Sequence, residues 1–270
     1  MKLLTKTLLL TSMISISAIT ANNTILNALA LCASLPQTTV MSHENAFEYT
    51  KQALRATSDG DYEKSLATIL HGLEKFPQSF TLQTYLAISI AHFSKLYNEP
   101  FKNILEKISK TVFDKLMNEV DEQPKADSYN FKNEYFHRFG MYLEQYEAGI
   151  AMMYDYWRTP EWTHYAATAY YRQAVGATCH AKELLLKGKR KHALIQAQTA
   201  LVAWAQHFNY ADASHNALVH YALALGILGY RQEMMHALHQ SAHLINKDLD
   251  YIEFQEIITF INAITPTPKN

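Results

Sequence analysis

Residues 46–77 read AFEYTKQALRATSDGDYEKSLATILHGLEKFP. Tyr49 and Ala53 precede a break at Gly60-Asp61, and Ile69, Gly72 and Leu73 follow it at helical spacing before Pro77. Gly60 allows a tight turn, Asp61 is placed to cap the helix after it, and Pro77 ends that helix. The stretch predicts a helical hairpin.

The same marks recur along the chain. Ala87 lies thirty-four residues after Ala53, in a first helix predicted over 81–94. Its partner helix, 99–117, carries an apolar stripe from Phe101 to Leu116 and includes Glu99 and Glu106. Ala181, Gly188, Ala193 and Ala200 repeat the pattern over 174–207. Ala222, Gly229, Leu238 and Ser241 repeat it more loosely over 215–248, with Met234 at a small position. Small residues matter because paired helices approach nearest there.

These motifs resemble the tetratricopeptide repeat: a small residue in the first helix, a Gly-Asp-Tyr-like turn at Gly60-Asp61-Tyr62, small residues at Ser65 and Gly72, and a closing proline at Pro77. The resemblance covers roughly half of the mature chain expected after removal of an N-terminal signal. It implies an all-α fold, a right-handed superhelix of antiparallel hairpins forming a solenoid. It also implies a concave surface made by first helices, which carried onto this sequence presents Thr50, Leu54, Thr84, Ile88, Thr178, Lys182, Val219 and Leu223.

Two stretches depart from that pattern. Helical spacing runs unbroken over 129–157 and 160–187, predicting two long central helices, each roughly 40 Å long at the usual rise. Thr159-Pro160 separates them as an N-cap followed by a proline at the first helical position. A last amphipathic helix over 250–263 is placed to cover the end of the stack. One domain over 44–264 is expected, with a linker at 31–43 and a tail at 265–270.

The N-terminus has a different character. Lys2 and Lys6 precede an apolar run, and no charged residue occurs between Lys6 and Glu44. That is the layout of a secretory signal peptide over 1–30, with Ala28-Leu29-Ala30 as the processing site and Ala21 as an earlier candidate. The rival is an uncleaved anchor, because roughly 20 apolar residues span a bilayer. The expected location is therefore periplasmic or secreted, or anchored in the inner membrane by this segment alone.

Lys and Arg total 24 against 25 Asp and Glu, with no strongly charged half. That balance argues against a nucleic-acid partner, which needs a basic face. Cys32 and Cys179 form no metal or redox spacing. His236, His239 and His243 share a helical face, but no carboxylate joins them in the manner of a zinc helix, so a solvated face is expected and no metal. No nucleophile elbow, phosphate loop or dinucleotide fingerprint occurs. Cys179 and His180 are adjacent, so on a helix they point apart. Neither catalysis nor a cofactor is expected.

The chain holds 17 Tyr, 12 Phe and 3 Trp, and 14 of these aromatics fall within 129–171. Tyr135, Phe139, Tyr142 and Tyr146 repeat at helical spacing, as a packed core or as an aromatic groove. The expected function is an exported, non-catalytic scaffold that holds a peptide or protein segment. The alternative is a small-ligand or glycan-handling protein, including an enzyme, built around 129–171.

Overall fold

The computed structural model describes residues 23–38, 44–94, 96–244 and 249–264, and these form twelve α-helices, one 3-10 turn and no strand. The apolar run before Asn23, on which the signal peptide or anchor is expected, lies outside the described residues, as does the tail 265–270. No helix among the described residues is long and apolar enough to cross a membrane. The chain divides into two compact units, Met1–Ser128 and Tyr129–Asn270.

The first unit contains α1 (Asn23–Cys32), α2 (Glu44–Ser58), α3 (Tyr62–Lys75), α4 (Phe80–Ser94), α5 (Phe101–Met117) and the 3-10 turn Val120–Glu122. Successive helices from α2 to α5 pack against one another, and α1 lies on α3 and α5. Leu66, Ile69, Leu82, Leu86 and Leu105 are buried at their centre. Gly72 is small for a reason: a Cβ there would come within 3.0 Å of the Tyr49 side chain.

The segment after α1, read as a linker, is clasped. Lys115 donates to the Pro36 carbonyl at 2.8 Å, and the Gln83 side-chain amide donates to the same oxygen at 3.2 Å. Glu119 Oε2 accepts from both the backbone N–H and the hydroxyl of Thr38, at 2.9 and 2.6 Å. Ile25 and Ala28 of α1 are buried in the core, including one residue of the expected processing triplet.

The helix α6 (Lys125–Arg138) crosses the boundary into the second unit. There follow α7 (Tyr142–Tyr156), α8 (Trp162–Leu186), α9 (Arg190–Tyr210), α10 (His215–Leu228), α11 (Arg231–Ala242) and α12 (Leu249–Ile264). Successive helices from α7 to α11 again pack in adjacent pairs, and α12 covers α10.

Four hairpins turn the same way. Gly60, Gly140, Gly188 and Gly229 all have φ between 70° and 86°. In each case the residue after the glycine donates to the carbonyl five residues before it: Asp61 to Ala56, Met141 to Phe136, Lys189 to Leu184 and Tyr230 to Leu225. The glycine itself donates to the carbonyl three residues back. This is the Schellman termination, which needs a left-handed residue and so selects glycine.

The expected helix over 129–157 is therefore two. It ends at Arg138, turns at Gly140 and restarts at Tyr142, because the left-handed glycine closes one helix while the apolar spacing carries on. The long helix expected over 160–187 is α8, of 25 residues, and the other long helix is α9, of 21. Thr159 does not cap α8. Its hydroxyl donates to the Tyr156 carbonyl at 2.9 Å, Arg158 holds φ 66°, and the helix starts at Trp162.

Candidate functional site

Few of the residues expected on a concave surface are presented to solvent. Thr50, Thr84, Thr178, Val219 and Leu223 are buried. Three hydroxyls are engaged by their own helices: Thr50 donates to Ala46, Thr84 to Phe80 and Thr178 to Ala174. Thr178 also accepts from the indole of the fully buried Trp204 at 3.2 Å, which makes it a packing residue. Leu54 is 45% exposed, and Ile88 and Lys182 are half-buried.

Lys182 and Leu223 nevertheless share a place. Both line a cavity of about 320 Å³ in the second unit, with Tyr142 of α7. Leu186 and Ile257 supply the rest of its apolar wall. Its polar groups are His137 from α6, Cys179 and Lys182 from α8, and His220 from α10, with the carboxylates of Glu183 and Glu256. Apolar walls with a few convergent polar groups are the usual make-up of a ligand site.

Its electrostatics are uneven. Glu183 is engaged by Lys187, with which it forms a short charged hydrogen bond, and lies 3.5 Å from His180. The Lys187 bond holds its carboxyl below the usual carboxylate range. Lys182 extends over the Phe260 ring at 5.2 Å, a cation–π contact that steadies the ammonium. His137 places Nδ1 3.2 Å from the Gln145 side-chain oxygen, fixing its ring. Beside it, Glu134 pairs with Arg138 at 2.6 Å. Burial works to raise the Glu134 carboxyl, but the guanidinium groups of Arg138 and Arg172 outweigh it and hold it low.

Cys179 and His220 meet in the cavity, Sγ to Nδ1 at 3.9 Å. Neighbouring numbers could not show it, since His180 adjoins Cys179 in sequence while the imidazole that faces it comes from another hairpin. One signal was present. Cys179 stands nine residues before Gly188 and His220 nine before Gly229, so the two occupy the same register of successive hairpins.

The four residues read as an aromatic groove are all half-buried: Tyr135 lies on α6, Phe139 in the turn after it, and Tyr142 and Tyr146 on α7. Tyr135 and Phe139 pack together, ring centres 4.8 Å apart. Tyr142 and Tyr146 pack on the core formed by Ala174, Val175 and Trp204, and Tyr142 alone reaches the cavity. A separate aromatic band forms where α7 ends and α8 begins. Trp157 meets Trp162 edge-on at 5.1 Å, Trp162 meets Tyr210, and Tyr170 stacks on Tyr210 at 5.8 Å. Trp157 is 54% exposed.

The histidine face on α11 is solvated: His236, His239 and His243 are exposed. Among the described residues no group of three metal-ligating side chains is assembled to hold a metal. Compared with protein-family models, with curated proteins and with solved structures, the chain matches none.

Proposed function

We propose that the chain is an exported, non-catalytic scaffold of tetratricopeptide-like hairpins, coiled as a right-handed superhelix, that holds a peptide or protein segment. Its second unit receives the segment's apolar, carboxylate-bearing end. The observation that carries this reading is the cavity itself, which Lys182 lines together with Leu186, Leu223 and Ile257. A terminal carboxylate would meet Lys182 and the imidazoles of His137 and His220, while Glu183 is occupied by Lys187 and His180. The Schellman turns at Gly60, Gly140, Gly188 and Gly229 support the repeat reading, since four hairpins close with the same local geometry.

The test compares capture of a short-peptide library with free C-terminal carboxylates against the same library amidated. The free form is expected to bind and Lys182→Glu to abolish that binding. Equal capture of both libraries, or binding indifferent to Lys182→Glu, sinks the reading.

A second reading has its own support in the exposed Trp157 beside Trp162 and Tyr210. Such rings offer stacking faces to sugar rings. In that case Trp157→Ala would abolish retention on an immobilised oligosaccharide.

A further inference from the structure

We infer that Cys179 is a thiol-exchange site, forming a mixed disulfide with small carboxylate-bearing disulfides that enter the cavity of the second unit. The inference rests on that cavity being open to ligands, as the proposed function does, but needs no peptide. Cys179 is only 8% exposed and His220 5%, yet both line the cavity, and their Sγ and Nδ1 atoms face each other at 3.9 Å. In the tautomer protonated at Nε2, the lone pair of His220 Nδ1 is the nearest base to the thiol. Lys182, one turn along α8 and in the same cavity, supplies the cation for a carboxylate.

The position of the thiol selects the chemistry. Acyl transfer by a cysteine needs preorganised donors for an oxyanion, often backbone N–H groups. Cys179 lies in the interior of α8, where backbone N–H groups are spent on the helix ladder. Disulfide exchange makes no oxyanion. The proton of the Cys179 thiol passes to His220 Nδ1, and the thiolate attacks one sulfur of the incoming disulfide. A new S–S bond forms to Cys179 as the old one breaks. The second sulfur leaves as a thiolate and takes the proton from His220. One cysteine sulfur is oxidised and one leaving sulfur is reduced, so no other oxidant is required.

The other cysteine, Cys32, belongs to the first unit, and desolvation pushes its thiol up to about 12. Among the groups around Cys179, Lys182 and Glu183 stand on its own helix, and His137, Tyr142, His220 and Glu256 line the same cavity from α6, α7, α10 and α12.

The experiment uses the folded full chain carrying Cys32→Ser. It follows reaction with dithiobis-nitrobenzoate, whose two halves are each carboxylated, and with neutral dipyridyl disulfide. Mass spectrometry is expected to find one adduct, on Cys179. His220→Gln is expected to slow both probes about tenfold. Lys182→Gln is expected to slow only the carboxylated probe, roughly fivefold, relative to the neutral one. Lys182 is half-buried rather than part of the packed core, so this variant keeps the test usable even where His220→Gln impairs folding. Labelling that appears only on unfolding, or rates unchanged by both variants, would overturn the inference. Equal slowing of the two probes by Lys182→Gln would overturn the ligand class. Capture of carboxylate-ended peptides is read separately on the unsubstituted chain, so failure of this chemistry and failure of the scaffold reading give different results.

Discussion

A Cβ placed on Gly176 would lie 2.8 Å from the amide nitrogen of Tyr146 and 2.9 Å from the carbonyl oxygen of Tyr142, so α7 and α8 touch backbone to backbone. The contact is reciprocal, since a Cβ on Gly149 would lie 2.9 Å from the Gln173 nitrogen. An alanine in a helix ordinarily gains about 1 kcal/mol over glycine through propensity. Here overpacking against backbone, which cannot swing aside, outweighs that gain. Gly176→Ala is expected to cost about 2 kcal/mol net. All three tryptophans lie in the second unit, so a fluorescence-detected urea melt reads that unit alone. A variant as stable as the parent would refute the close crossing.

The turn at Gly60 makes a separate claim on the first unit. With φ at 75° and the Schellman hydrogen bonds in place, it excludes a β-branched residue. Gly60→Val is expected to cost about 1–2 kcal/mol. Circular dichroism is the appropriate probe, because the tryptophans do not sense this unit. An unchanged melting curve would place the turn elsewhere.

Glu119 gives the first unit a pH dependence. Burial would raise its carboxyl, but the two Thr38 hydrogen bonds and Lys115, 3.1 Å from Oε1, bring it below the usual range. A carboxyl lowered in the folded state contributes stability above its unfolded value, about 4.3, and loses it as pH falls through the folded value. Glu119→Gln is therefore expected to lower stability by about 1–3 kcal/mol at neutral pH. The gap between parent and variant should close under acid conditions. A gap that persists there would assign the loss to packing instead.

The clasp around Thr38 and the burial of α1 bear on processing. A chain begun at Leu31 lacks Ile25 and Ala28, both in the core, whereas one begun at Asn22 keeps them. The shorter chain is expected to be less stable by at least about 2 kcal/mol. Correspondingly, terminal sequencing of an exported form should find a start before Asn23. A mature chain starting at Leu31 with undiminished stability would show that α1 is dispensable.

Local punctuation carried most of what was legible in the sequence. The hairpin at Gly60 is legible because glycine, a capping aspartate and a closing proline coincide, and Asp61 does accept from the Lys64 N–H. The hairpin at Gly140 is not, because Met141 takes the place of the aspartate and the aromatic stripe runs through the turn. Burial was the harder quantity. Thr178 reads as a surface threonine, but it satisfies its hydroxyl within α8 and accepts from Trp204, a partner 26 residues away. The cavity was legible only in fragments, as Tyr142, Lys182 and Leu223. His137, Cys179 and His220 join them through tertiary packing of α6, α8 and α10, which spacing along one helix does not reveal.

Tyr142 and Tyr146 separate a binding role from a packing role within one helix. They are four residues apart on α7 and both rest on the core formed by Ala174, Val175 and Trp204. Only Tyr142 also borders the cavity, where its ring lies 6.0 Å from that of His137. Removing either hydroxyl keeps the ring and opens no sizeable void, so each Tyr→Phe change is expected to shift stability by less than about 1 kcal/mol. Binding should distinguish them. Tyr142→Phe removes a polar group at the cavity wall and is expected to weaken capture of carboxylate-ended peptides severalfold, whereas Tyr146→Phe should leave capture unchanged. Stability and capture are measured on the same preparations, so a folding defect cannot pass for a binding one. Equal loss of capture in both variants would move the binding surface onto the whole α7 stripe, and no loss in either would remove Tyr142 from the site.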